Sequence, residues 1–185
     1  MRLIPLVDGL LPAIEPFLDR PFIFFGHSFG ALVAFELVRH LRKCSLPQPD
    51  MLIVSGCRAP HLPDHNLSLH GLPDAEFLEA LNGFNGISSA LLEEPELLDL
   101  FLPVLRADFE SFETYVYETE SPLNSHIMAL GGVHDPRVQR EELEAWASQT
   151  TSLFQSEYFP GDHFFINSAR EAIIPSITGE PKVSP

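Results

Sequence analysis

The chain has 185 residues, 45% of them apolar and 20% charged, and carries a formal net charge of −15. That length suits one domain with a substantial core, and this balance of apolar to charged residues excludes a disordered chain. The acidic excess disfavours nucleic-acid binding, which needs clustered Lys and Arg, and the apolar runs are far too short to span a bilayer.

No basic segment followed by an apolar core and cleavage site marks a secretory leader. Two cysteines, Cys44 and Cys57, make no disulfide framework and suit a reducing compartment. A cytoplasmic monomer is expected, with no membrane or nucleic-acid partner.

Residues 3–18, LIPLVDGLLPAIEPFL, read as an amphipathic helix interrupted by prolines. Phe22 to Phe25 is a wholly apolar run, the pattern of a strand buried on both faces of a parallel sheet. From Ala31, the residues Leu32, Phe35, Leu37, Val38 and Leu41 follow helical spacing. The basic run Arg39-His40-Leu41-Arg42-Lys43 closes that helix, where cations complement the negative C-terminus. Met51 to Val54 is a second buried strand, ending in Ser55-Gly56. Strand, helix and strand at this spacing form a βαβ unit.

Residues 60–123 change character. Six prolines punctuate short helical stretches at Ala75 to Leu81, Pro95 to Leu102 and Leu105 to Tyr117, and no buried strand is expected there. The sheet resumes at Ile127 to Leu130 and ends in Gly131-Gly132. A helix over Glu141 to Ser148, a strand over Leu153 to Phe159 and a helix from Phe164 to Ile177, interrupted by Pro175, complete the chain. Alternating strands and helices predict an α/β fold with helices on both faces of a mostly parallel sheet.

Between the first strand and its helix lies Gly26-His27-Ser28-Phe29-Gly30. G-x-S-x-G is a short pattern whose meaning depends on a strand before it and a helix after it, and both are expected here. The serine of such a turn has a strained backbone, so small neighbours let strand and helix pack closely; Gly26 and Gly30 fill those positions. The turn lifts the hydroxyl above the carboxyl end of the sheet, and the Phe29 N–H can stabilise an oxyanion.

A serine needs a base, and the base an orienting acid, in the chain order Ser, acid, His. Asp135 follows the strand HIMAL in a loop at its carboxyl end, and His163 follows SLFQSEYF at the corresponding place. Asp135 would fix the tautomer of His163, which would take the proton from Ser28. His27 is expected to pack or hydrogen-bond on the other side of the turn. His134 sits on the acid's loop, out of order, and Asp162 is the rival acid, badly placed for its own neighbour's ring. His61, Asp64, His65 and His70 form a loose cluster without the tight spacing of a structural metal site. No metal or cofactor is expected.

FFGHSFGALVAFELVRHL, LPDAEFLEAL, LRADFESFETY, ALGGVHDPRVQREELEAW and YFPGDHFFI together resemble the type II thioesterases of nonribosomal peptide and polyketide synthesis. The likeness runs from about residue 12 to about residue 170, with 107 residues from Ser28 to Asp135 and 28 from there to His163. It implies an α/β-hydrolase fold, a triad of Ser28, Asp135 and His163, and hydrolysis of acyl thioesters from the phosphopantetheine arm of carrier proteins, clearing stalled or misprimed synthases. It also implies that residues 60–123 are a lid over an acyl channel, with Leu78, Leu81, Phe84, Leu98, Phe101, Leu102, Phe109 and Phe112 available to line it.

The family carries strands and a Gly-rich loop before the nucleophile strand, and the loop supplies the second oxyanion donor. Here 20 residues precede Pro21 and read as one helix, so an N-terminally truncated enzyme is expected. Losing one oxyanion donor costs on the order of 10²–10³ in rate. Two other readings follow: a catalytically impaired remnant that acts as a binding module or has no function, and a general esterase or lipase of the same fold.

Overall fold

A computed structural model describes residues 3–83 and 94–178. Helix α1 (Leu3–Ile14) runs into a 3₁₀ turn at Glu15–Phe17. Strand β1 (Ile23–His27), helix α2 (Phe29–Lys43) and strand β2 (Met51–Ser55) form the expected βαβ unit. Among the described residues two helices follow, α3 (Asp74–Gly83) and α4 (Pro95–Glu113). Strand β3 (His126–Gly132) leads to α5 (Arg140–Glu144), a 3₁₀ turn at Ala145–Gln149 and strand β4 (Phe154–Phe159). Short helix α6 (Phe165–Ser168) and α7 (Arg170–Thr178) close the described chain.

The four strands lie in sequence order and every pairing is parallel. Their side chains alternate between two packed faces. Leu52, Val54, Ile127 and Ala129 meet Phe35 and Val38 of α2, with Leu143 and Trp146 beside them. Ile53, Met128 and Leu130 meet Phe159, Phe165 and Ile173 on the other face. The sheet is therefore covered by helices on both sides, as the alternating pattern predicts.

Three expectations need correction. Pro103 does not divide the second half of the insertion: α4 runs unbroken from Pro95 to Glu113 with Pro103 inside it. Pro175 likewise lies within α7, and the tail breaks at Ala169 instead, between α6 and α7. Strand β1 is not buried on both faces. It stands at the edge of the described sheet, and Ile23 and Phe25 are 46% and 45% exposed. They share the Ile53 face, and the helices that cover Ile53 do not reach across to them. The opposite face of β1 is occupied, because Phe24 packs against both α1 and the core.

The basic run at the end of α2 has a more specific partner than the helix terminus. Glu120 takes ion pairs from Arg39 (2.6 Å), Arg42 (2.9 Å) and Lys43 (2.7 Å). Arg39, 3% exposed, also pairs with buried Glu36, which accepts the Tyr115 hydroxyl at 2.6 Å. This network ties α2 to the segment following α4. Burial disfavours the Glu120 carboxylate, but the hydrogen bonds from Lys43, Arg39 and Arg42 outweigh it and hold its pKa down to about 2.

Candidate active site

Ser28 joins β1 to α2 with φ 52° and ψ −121°, a conformation that L side chains rarely adopt. The turn is held by its surroundings. The Ser28 N–H donates to the Ser55 carbonyl at 2.7 Å, and the Ala31 N–H donates to the Ser28 carbonyl at 3.0 Å. The two flanking glycines differ in role. A Cβ at Gly26 would come within 2.1 Å of the Gly30 carbonyl oxygen, so strand and helix could not approach. A Cβ at Gly30 would meet nothing within 4 Å among the described residues, so Gly30 is not required by the close packing expected of it. It faces the cavity instead.

The loops after β3 and β4 bring the other two residues. His163 Nε2 lies 3.0 Å from Ser28 Oγ, and His163 Nδ1 lies 2.9 Å from Asp135 Oδ2. Their side chains are shielded from water, 4% exposed for His163 and 1% for Asp135. The second Asp135 oxygen accepts the Arg137 N–H at 2.8 Å, which fixes the carboxylate. Gly132 is needed for this approach, since a Cβ there would lie 2.3 Å from the Asp162 carbonyl oxygen. Asp135 thus bonds one ring nitrogen and Ser28 the other, so that a carboxylate can orient an imidazole whose free nitrogen faces the hydroxyl.

The rival residues lie elsewhere. Asp162 Oδ1 accepts the Phe164 N–H at 2.9 Å within its own loop. His134 is exposed on the loop after β3, its N–H bonded to the Gly161 carbonyl. His27 turns to the end of β2, with Nδ1 2.9 Å from Ser55 Oγ, the local hydrogen bond expected of it. The cluster near residue 65 separates into distinct pairs: Asp64 with Arg58 at 3.2 Å, His70 with Glu113 at 2.5 Å, and His61 with Gln149 at 3.0 Å. Cys57 is a buried filler whose thiol burial pushes up to about 12. Among the described residues no three metal-ligating side chains converge.

A cavity of about 350 Å³ opens over Ser28. Phe29 and Gly30 form its floor with Ser28, and His163 and Phe164 one wall. Leu81, Leu105, Phe109 and Phe112 cover it from α3 and α4. Of the apolar residues offered by the sequence, Leu81, Phe109 and Phe112 line the cavity. Leu78 and Leu102 pack in the cluster between α3 and α4, Phe101 is 45% exposed, and Phe84 lies outside the described residues. Leu105 was legible from its helical spacing to Phe109 and Phe112. Asp108 and Arg137, which also line the cavity, gave no sequence signal, since either reads as an ordinary surface charge.

A fold of parallel strands covered by helices, with a serine on a strained strand-to-helix turn beside a histidine and a buried aspartate, defines an α/β-hydrolase. The chain belongs to the thioesterase family: the model of the Thioesterase domain matches residues 2–180. It is 45% identical over 172 residues to the linear gramicidin dehydrogenase LgrE of Brevibacillus parabrevis, covering 91% of this chain and 65% of LgrE. The chain thus spans just under two thirds of that relative's length. RedJ, a thioesterase from the prodiginine biosynthetic pathway in Streptomyces coelicolor, superposes with a TM-score of 0.89 at 34% identity, over 97% of this chain and 72% of RedJ. YbtT, the type II thioesterase of the yersiniabactin pathway, gives 0.85 at 34% identity, over 97% and 73%. These neighbours put the chain among the type II thioesterases of nonribosomal peptide and polyketide pathways. No described helix is long and apolar enough to cross a membrane.

Proposed function

We propose that this protein hydrolyses acyl thioesters held on the phosphopantetheine arm of carrier proteins, with Ser28 as nucleophile, His163 as base and Asp135 as its orienting acid. The observation that carries the reading is the run of two hydrogen bonds, 2.9 and 3.0 Å, from Asp135 through His163 to a serine on a strained turn at a cavity floor. Asp135 accepts a hydrogen bond from Nδ1–H and so holds the tautomer whose Nε2 lone pair takes the proton from Ser28. Ser28 Oγ attacks the thioester carbonyl, and negative charge gathers on its oxygen. The Phe29 N–H, at the first residue of α2, stabilises that charge. His163 then protonates the departing thiol and afterwards deprotonates the water that releases the acyl group.

The apolar walls suit an acyl chain, and at about 350 Å³ the cavity is at the small end of ligand sites. The described helices of the 60–123 insertion, α3 and α4, act as a lid and form the cavity's roof. The carrier protein is the partner, since its phosphopantetheine thiol is the group the reaction frees. Hydrolysis of acyl-phosphopantetheinyl carrier protein tests the reading: the chain turns over, and Ser28→Ala loses at least about 10³-fold in kcat. Equal rates for the two overturn it. Faster cleavage of matched oxygen esters than of thioesters would identify a general esterase.

A further inference from the structure

His27 has no part in the reaction above, yet its ring is enclosed by the residues that do. Ser55, at the end of β2, touches the nucleophile turn twice. Its carbonyl accepts the Ser28 N–H at 2.7 Å, and its fully buried hydroxyl lies 2.9 Å from His27 Nδ1. Gly56 follows with φ +57°, and a Cβ there would approach His27 Cε1 to 2.8 Å and His163 Cε1 to 3.5 Å. The bare backbone at Gly56 is what lets the two rings share this corner.

The His27 ring centroid is 5.1 Å from that of His163, 5.8 Å from Phe164 and 6.0 Å from Phe165. Its Nε2 is buried, and the ring lies within reach of the His163 backbone as well as its side chain. His27 is therefore a wedge between the end of β2 and the loop that carries His163.

We propose that His27, locked by the Ser55 hydroxyl, is a positioning residue that holds the His163 ring in line with Ser28. The inference rests on the catalytic reading above. An imidazole between a serine and an aspartate can still rotate or tilt, and misplacement of a reacting group by about 1 Å costs on the order of 10² in rate. Asp135 restrains one end of the His163 ring; the His27 face restrains its side. The wedge must also be uncharged, because His163 becomes a cation when it takes the serine proton, and a second cation beside it would oppose that step. Burial first, and repulsion from a protonated His163 second, push the His27 pKa down to about 4, so it is neutral at working pH.

The test is a double-mutant cycle read on Ser28 itself. The second-order rate constant for fluorophosphonate labelling is measured for the wild type, Ser55→Ala, His27→Ala and the double variant, alongside kcat and KM for thioester hydrolysis. Each single variant is expected to label about 10- to 100-fold more slowly, with the loss in kcat and KM within about threefold. The double variant should be no slower than the worse single one, because the two residues act as one unit. His27→Asn, whose amide can still bond Ser55, should recover part of the loss. Ser55→Ala removes one hydroxyl and no backbone bond, so the test stands on it even where His27→Ala does not fold. Unchanged labelling in Ser55→Ala, effects that multiply in the double variant, or a loss confined to KM overturn the inference alone. A wild type that does not label overturns it together with the nucleophile assignment.

Discussion

Asp108 is a carboxyl half-buried in a cavity wall made largely of apolar side chains, and burial alone pushes its pKa above the usual range. A carboxyl whose folded pKa is raised opposes folding wherever it is ionised. Asp108→Asn is therefore expected to raise the melting temperature at pH 7. The gain should shrink as pH falls through the raised folded pKa, and vanish below the ordinary aspartate value near 4. Thermal melts of both proteins from pH 7 to 3 check this; a gain that persists at pH 3 contradicts it. The Asp135 carboxylate, 1% exposed, differs in its partners: it accepts bonds from His163 and from the Arg137 N–H.

The nucleophile turn separates two glycines that look equivalent in the sequence. Gly26 lies where a methyl would collide with the Gly30 carbonyl, whereas Gly30 lies on a helix with open space before it. Gly26→Ala is expected to abolish folding or Ser28 labelling. Gly30→Ala should fold at least as well, since Ala is favoured over Gly within a helix by up to about 1 kcal/mol. It should raise KM for larger acyl chains by narrowing the cavity. Circular dichroism melts and KM values for a series of acyl lengths separate the two outcomes.

This pair also marks how far the sequence could be read. The βαβ unit and the loop positions of Ser28 and Asp135 were legible because each follows a short apolar run that stops at a loop, and that of His163 because Pro160-Gly161 ends the more polar strand before it. Pro103 was misread because α4 accommodates it in mid-helix, which a rule for isolated helices disfavours. The burial of β1 was misread because an apolar run looks the same with one face covered as with two. Ser55 was visible only as the end of a strand. Its contact with His27 depends on the register that sets β2 beside β1, where His27 pairs with Ser55.

Across the molecule, one surface carboxylate joins distant segments. Glu120 gathers Arg39, Arg42 and Lys43 and fastens the segment after α4 to α2. Its folded pKa of about 2 lies below the unfolded value near 4.3. Its stabilisation is therefore present above about pH 4.5 and is lost as pH falls toward 2. Glu120→Gln is expected to destabilise by about 1 kcal/mol at pH 7, solvent screening part of the interaction. The difference from the wild type should close between pH 4.5 and 2; denaturant titrations at several pH values measure it, and a gap that widens in acid refutes it.

Ser28 and His163 stand 135 residues apart, and Asp135 lies between them, 28 residues before His163. No helix, hairpin or single βαβ unit contains two of the three. They meet only when β4, the last strand, has docked on β3 and carried its loop to the end of β1's turn. Closing so long a segment is slow compared with forming α2 or α4. The reactivity of Ser28 thus serves as a clock for the final step of chain assembly. During refolding, helical circular dichroism should return first, and fluorophosphonate labelling should recover with the slowest phase.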